Sequence, residues 1–143
     1  MKKGISGLEN FQGATPRSQT ELRNVETARA ILEGLSRGEW DILRAHMAPG
    51  GSTWVLGFTP ERLAKHVRSP NFIAETFPNG VSFDIKAVVA EGSRVVVEWD
   101  DEAEASTGKH YENNGVSIFT FDDEGRLASY HEYIDPERFF AVL

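Results

Sequence analysis

The chain of 143 residues contains no cysteine. That absence excludes disulfides, thiolate nucleophiles and cysteine-ligated metals, and a cytoplasmic location is the default expectation. Positive charge is scarce: 15 Lys plus Arg stand against 22 Asp plus Glu, for a net charge of -7. No basic run occurs, so nucleic acid is not an expected partner. No apolar run approaches the roughly 20 residues of a membrane span, so no membrane partner is expected. Residues 1–15 carry two lysines but no apolar segment, which does not read as a signal peptide. The four histidines, His46, His66, His110 and His131, stand at no close ligand spacing with one another, so no metal is expected. There is no glycine-rich phosphate loop and no serine in a nucleophile setting. No cofactor is expected.

What remains is ordinary globular material, 40% hydrophobic and 26% charged. Residues 1–17 read as a flexible arm and residues 18–143 as one domain. Ser18 and Glu21 have the spacing of a capping box. Leu22, Val25, Ile31, Leu32 and Leu35 follow helical spacing to about Arg37, and Gly38 marks the stop. Residues 39–47 predict a second short helix. Ser52 to Leu56 predicts a short strand. Thr59 and Pro60 cap a third helix reaching about Arg68. Residues 71–77 predict another helical piece, and Pro78-Asn79-Gly80 a turn. Four strands are then expected over 81–90, 94–105, 110–121 and 126–134, joined by short links that imply antiparallel hairpins. Asp135 and Pro136 predict a last helical turn. Helices followed by a bent antiparallel sheet make an α+β domain, a cone whose sheet wraps around the N-terminal helices.

The stretch Arg94 to Ala105 has two unlike faces at strand period. Arg94, Val96, Glu98, Asp100, Glu102 and Glu104 form a charged face. Val95, Val97, Trp99, Ala103 and Ala105 form an apolar one that also carries Asp101. A carboxylate there must be paired, be protonated or have a task. On the next strand Tyr111, Asn113, Gly115 and Ser117 share a face. On the last strand Tyr130, Glu132 and Ile134 share one, with His131, Tyr133 and Asp135 opposite. Alternation alone does not decide which of these points inward.

Three stretches, Ala30-Ile-Leu-Glu-Gly-Leu-Ser-Arg-Gly-Glu-Trp-Asp41, Tyr111-x-Asn113, and Phe119-Thr-Phe-Asp-Asp-Glu-Gly-Arg-Leu127 running into Glu132-Tyr-Ile-Asp135, lie in this element order. With it, the chain resembles the nuclear transport factor 2-like superfamily. More narrowly it is similar to the SnoaL-like and ketosteroid-isomerase-like small-molecule branch, over about Asn24 to Phe140. The resemblance implies a cone-shaped fold, a homodimer through the outer sheet face and Glu132 facing inward. The three steroid-isomerase roles would fall on Leu56, Ile31 and Ser117, so that set is incomplete. In limonene-epoxide-hydrolase-like members the two acids match Asp101 and Glu132. Their arginine matches Trp99, their tyrosine Trp54 and their asparagine Leu56, so that set is incomplete too.

The expected site therefore pairs Asp101 and Glu132 as catalytic acids. Trp54, Leu56, Trp99, Tyr111, Asn113, Ser117 and Tyr130 are the expected ligand-binding residues around a small apolar ligand. Three functions fit: a cofactor-independent enzyme doing acid–base chemistry (isomerase, cyclase or hydrolase type) on an apolar carbonyl or polyketide-like compound; a ligand-binding or sensor protein; or a dimerisation module with a filled cone. Candidate contacts for self-association are Val116, Ile118, His131 and Tyr133.

Overall fold

The computed structural model describes residues 4–143. The first long helix, α1 (Gln19–Ser36), begins where the capping box sits. The Ser18 hydroxyl accepts from the Glu21 N–H at 3.1 Å, and the Glu21 carboxylate accepts from the Ser18 N–H at 2.8 Å. Such caps are worth about 1 kcal/mol. Val25, Ala28, Ile31, Leu32 and Leu35 bury one side of α1, whereas Leu22, in the same spacing, stays exposed. Gly38 ends the helix at φ +80°. The turn at Gly80 seats against it so closely that a Cβ there would lie 2.6 Å from the Ser36 carbonyl oxygen.

A short α2 (Ile42–His46) follows and runs straight into β2 (Met47–Val55), then α3 (Pro60–His66) and α4 (Phe72–Thr76). The long strands are β3 (Ser82–Glu91), β4 (Arg94–Glu104), β5 (His110–Phe121) and β6 (Leu127–Ile134), and α5 (Pro136–Phe140) closes the domain. The Asp135 side chain caps α5 by accepting from the Glu137 N–H. The α2 segment is shorter than the predicted 39–47, and β2 starts five residues before the predicted Ser52, because Met47 already pairs with Leu127.

The long strands pair antiparallel in sequence order, as the short links predict. The full sheet has six strands, because a parallel strand is added at each edge: β2 beside β6, and β1 (Ile5–Ser6) beside β3. This corrects the reading of residues 1–17 as a flexible arm. Ile5 and Ser6 pair with Phe83 and Asp84, Leu8–Gln12 forms a 3-10 turn, and Phe11 is buried in the core. Burying Phe11 contributes about 1.5–3 kcal/mol, beside the β1 pairing and the bond from the Asn10 amide to the Ile85 carbonyl at 2.9 Å. Residues 1–3 lie outside the described chain.

The concave face of this curved sheet and the inner side of α1 enclose one core, in which Trp99, Phe119, Ile31, Leu32, Val95 and Val97 are fully buried. No helix among the described residues is long and apolar enough to cross a membrane.

Candidate functional site

Strand β4 sets the site. Val95, Val97, Trp99 and Ala103 are buried, and Arg94, Glu98, Asp100 and Glu104 are exposed. Alternation places Asp101 with the buried set. Asp101 stands opposite Asn113 on β5, Ala103 opposite Tyr111, and Val97 opposite Ser117. Ser117 in turn stands opposite Glu132 on β6, and Phe119 opposite Tyr130. Directly opposed residues share a face, so this register puts Glu132 on the inner side with Asp101.

Trp99 is seated by a glycine. A Cβ at Gly115 would meet Trp99 Cη2 at 2.9 Å and the Tyr133 carbonyl oxygen at 2.4 Å, so only glycine leaves the indole its place. The Phe83 ring packs edge-on against the indole, with centroids 5.3 Å apart. From there a line of hydrogen bonds crosses the inner face. Trp99 Nε1 donates to Ser117 Oγ at 2.9 Å, Ser117 Oγ lies 2.8 Å from the Tyr130 hydroxyl, and that hydroxyl donates to Glu132 Oε1 at 2.6 Å.

Asp101 is treated differently. Its Oδ1 is buried and has no hydrogen-bond partner among the described residues. Burial pushes its carboxyl well above the usual carboxylate range; the charge of Glu132, and then of Asp100, adds to the effect, while the Asn113 backbone N–H pulls the other way. Glu132 is raised by burial and held back by the Tyr130 hydrogen bond. Among the described residues no ion pair reaches either acid. Protonating an ordinary aspartate at neutral pH costs about 4 kcal/mol. Burying an unpaired ion costs several kcal/mol even after relaxation, and a second like charge beside it adds more. Both shifts run toward the neutral form.

The surrounding residues sort clearly. Tyr111 is buried against Phe77 and Phe139, and burial, followed by the charge of Asp101, raises its hydroxyl far above the ordinary value. Asn113 donates to the Tyr111 hydroxyl at 2.9 Å and to the Asp135 carbonyl at 3.0 Å, and its own oxygen accepts from the Asn114 and Asp135 N–H groups. Its amide is fully employed in tying β5 to the end of β6. Ser117 and Tyr130 are used by the hydrogen-bond line.

Trp54 and Leu56, expected at the pocket, are not there. The parallel register of β2 puts Trp54 opposite His131, and Val55 opposite Glu132. A shift of one residue exchanges the faces of a strand. Trp54 is 43% exposed and packs on His131 and Tyr133 of the outer face, while Leu56 is 39% exposed beyond the strand end. The inward residue is Val55, packed against the core. An aromatic group of Phe58, Phe72, Phe139 and Phe140 was missed as well. Its members come from separate segments with no shared period.

A concavity of about 390 Å³ crosses β3, β4 and β5. Ser82, Asp84, Asp100, Glu102, Glu112, Asn114 and Arg138 wall it, and of the acid site only Asp101 and Asn113 also line it. It is thus mainly a trough of the charged outer set, set apart from the buried line that ends at Glu132. Near it Glu102, His110 and Glu112 bring possible metal-ligand atoms within 4.8 Å of one another. Histidine spacing along the chain misses this group because the other members are carboxylates, Glu112 two residues along β5 and Glu102 across the hairpin on β4.

With this geometry in view, residues 28–130 match the SnoaL-like domain family. The chain belongs to that family. No curated protein matches the sequence closely enough to count as a relative. Among solved structures it is similar to a candidate SnoaL-like polyketide cyclase from Jannaschia sp. CCS1, at 21% identity and TM-score 0.69, covering 90% of this chain and 96% of that one. It is also similar to an M. tuberculosis epoxide hydrolase of the limonene-epoxide-hydrolase-like type, at 21% identity and TM-score 0.57, covering 85% and 89%. A third is TerC, crystallised with polyporic acid, at 19% identity and TM-score 0.63, covering 84% and 97%. At these identities the likeness establishes the nuclear transport factor 2-like fold, which hosts many chemistries. Relative to the arginine expected of the epoxide-hydrolase set, Trp99 offers no cation, and its N–H goes to Ser117.

Proposed function

We propose that this SnoaL-like protein is a cofactor-independent enzyme whose Asp101 and Glu132 act as an acid–base pair on a compact, apolar carbonyl or polyketide-like compound. The observation that carries the reading is the asymmetry of two desolvated acids without a cation: Tyr130 holds Glu132, while Asp101 keeps a buried oxygen free. Environments that push two carboxyl groups apart are what general acid–base chemistry at one pH needs. One carboxyl takes a proton from the carbon beside a carbonyl, and the other delivers one to the carbonyl oxygen. The product is an enol, the common first step of isomerisation and of ring closure onto a second carbonyl. Tyr111, whose hydroxyl keeps one proton after accepting from Asn113, is a neutral donor for developing charge. TerC with polyporic acid and the polyketide-cyclase neighbour point to the same ligand class.

The test is hydrogen–deuterium exchange beside the carbonyl of a panel of small aromatic and alicyclic ketones, followed by NMR in D2O. Wild-type protein exchanges at least one compound, and Asp101→Asn and Glu132→Gln do not. Tight binding with no exchange of any compound sinks the enzyme reading in favour of a binding or sensor protein. That second reading has its own support, because the Asn113 amide is fully used by the fold and leaves no donor for charge developing in a reaction.

The same reading includes a homodimer. Val89, Val96, Val116, Ile118, Tyr133 and Trp54 form an apolar band on the outer face, with Val89 62% exposed. Such a band on a sheet covered on one side only calls for a cover, and the candidate contacts Val116, Ile118, His131 and Tyr133 lie within or beside it. Light scattering at micromolar concentration gives twice the chain mass if this holds, and the chain mass if it does not.

A further inference from the structure

We propose that His131 makes self-association through the outer sheet face depend on pH, so that the protein is a dimer at and above neutral pH and comes apart in mild acid. The inference rests on the homodimer reading above and names the group that regulates it.

The register divides the outer face into rows. One row of opposed residues crosses five strands: Val89 on β3, Val96 on β4, Ile118 on β5, His131 on β6 and Trp54 on β2. Opposed residues share a face, so these side chains stand side by side. The row holds no acid, lysine or arginine, and His131 is its only titratable member. Ala87, Glu98, Val116 and Tyr133 make the next row. Past it the face turns acidic, with Asp84 opposite Asp100 and then Glu102 opposite Glu112. On the other side Glu91, Arg94, Thr120, Ser129 and Ser52 make a polar row.

Charge selects the occupant. The chain carries a net charge of -7, so two copies repel each other. A two-fold contact sets a patch against the same patch. At the acidic end carboxylates would meet carboxylates. At the row from Val89 to Trp54 they meet none. A second copy therefore fits the row and not the acidic end.

His131 is the member of that row able to oppose the contact. It is half-buried, with the Trp54 ring centroid 5.6 Å away. Neither neighbouring strand offers it an anion on this face: β5 presents Val116, Ile118 and Thr120, and β2 presents Ser52 and Trp54. Along β6 itself Ser129 and Tyr133 flank it. The charged groups of the face stand further off, Arg94 and Glu98 on β4 and Glu91 on β3. In the single chain an imidazolium here still reaches water. Covered by a second copy it loses that water and gains no carboxylate, because the patch opposite is the same row. The protonated form therefore binds its copy less well than the neutral form. Protonation and association then oppose each other. Association is complete above the imidazole range and is lost as pH falls through it. Net charge acts the other way, because acidification toward the isoelectric point of about 5.1 weakens the repulsion between copies. Dissociation in acid thus has a sign that net charge does not produce.

The test is sedimentation equilibrium of the full-length protein at micromolar concentration, from about pH 8 to about pH 6, the span of histidine titration. Wild type is expected as a dimer at the top of the range, with its dissociation constant rising about tenfold or more toward the bottom. His131→Leu is expected to stay dimeric throughout, and His110→Gln to keep the wild-type dependence. If His131→Leu does not fold, His131→Gln takes its place with the same flat profile expected. A dissociation constant that is flat or falls on acidification in wild type overturns the proposal. So does a loss in acid that persists in the His131 variants. A monomer at every pH overturns the homodimer reading and this proposal with it, so the two failures are separable.

Discussion

The two faces of β4 and β5 carry the same acidic chemistry to opposite ends. On the outer face acids meet cations: His110 contacts Glu104, and lies 3.1 Å from Glu112 and 3.4 Å from Glu102, while Lys86 lies 2.8 Å from Asp84 and 3.4 Å from Asp100. The side-chain bonds from Glu104 and then Glu112 raise the His110 pKa. On the inner face, one residue along the strand from Asp100, Asp101 has no cation and an unpartnered buried oxygen. Alternation gives neighbours in sequence opposite solvation, and solvation decides whether an acid is neutralised by a partner or by a proton. The outer acids meet cations; the inner ones meet none among the described residues.

Several substitutions sharpen or break that contrast. Asp101→Asn keeps the shape and removes the titrating group. Ketone exchange should fall about 10²-fold or more, the usual scale of a lost general acid or base. Unchanged exchange would remove Asp101 from the chemistry. Gly115→Ala tests whether the seating of Trp99 matters to the inner face. The new methyl must displace either the indole or the Tyr133 carbonyl, and overpacking of this kind costs about 1–3 kcal/mol in denaturant unfolding. A variant as stable as wild type would show that the indole has room to spare.

The pH dependence of stability separates the two faces further. The folded-state pKa of Asp101 is raised, so the native state binds the proton more tightly than the unfolded chain. The stability this contributes is complete below the unfolded value, about 3.9. It is lost as pH rises through the folded value. Asp101→Asn should flatten that decline in urea titrations and gain on wild type at alkaline pH; parallel pH profiles for the two proteins would contradict the inner-face assignment. His110 also has a raised folded pKa, so its contribution is likewise present at low pH and lost as pH rises through that value. It is exposed and screened by salt, so His110→Gln should change thermal stability least of these variants. A large loss there would mean that the outer cluster is structural.

Legibility in the sequence follows the range of the interactions. The capping box at Ser18 and the hairpin links are local, and they read correctly. The alternation along Arg94 to Ala105 is also local, and it singled out Asp101 as the acid among apolar neighbours. Trp54 failed because the face of an edge strand is set by its partner. Nothing near Trp54 says that β2 lies parallel to β6 with Trp54 opposite His131. The N-terminal pair Ile5 and Ser6 is too short for any period to show. Trp99, Ser117, Tyr130 and Glu132 were each expected at the site, but the line joining them depends on the register of three strands. The contacts of His110 with Glu102 and Glu104 likewise exist only across a hairpin.

The central claim is that Asp101 on the inner face is neutral in the folded protein. Infrared difference spectroscopy of the folded chain at neutral pH, wild type minus Asp101→Asn, tests it most directly. The account predicts a protonated-carboxyl C=O band in wild type that disappears in Asp101→Asn and persists in Glu132→Gln. A wild-type spectrum holding only carboxylate bands, or a protonated band that vanishes with Glu132→Gln and survives Asp101→Asn, would contradict it.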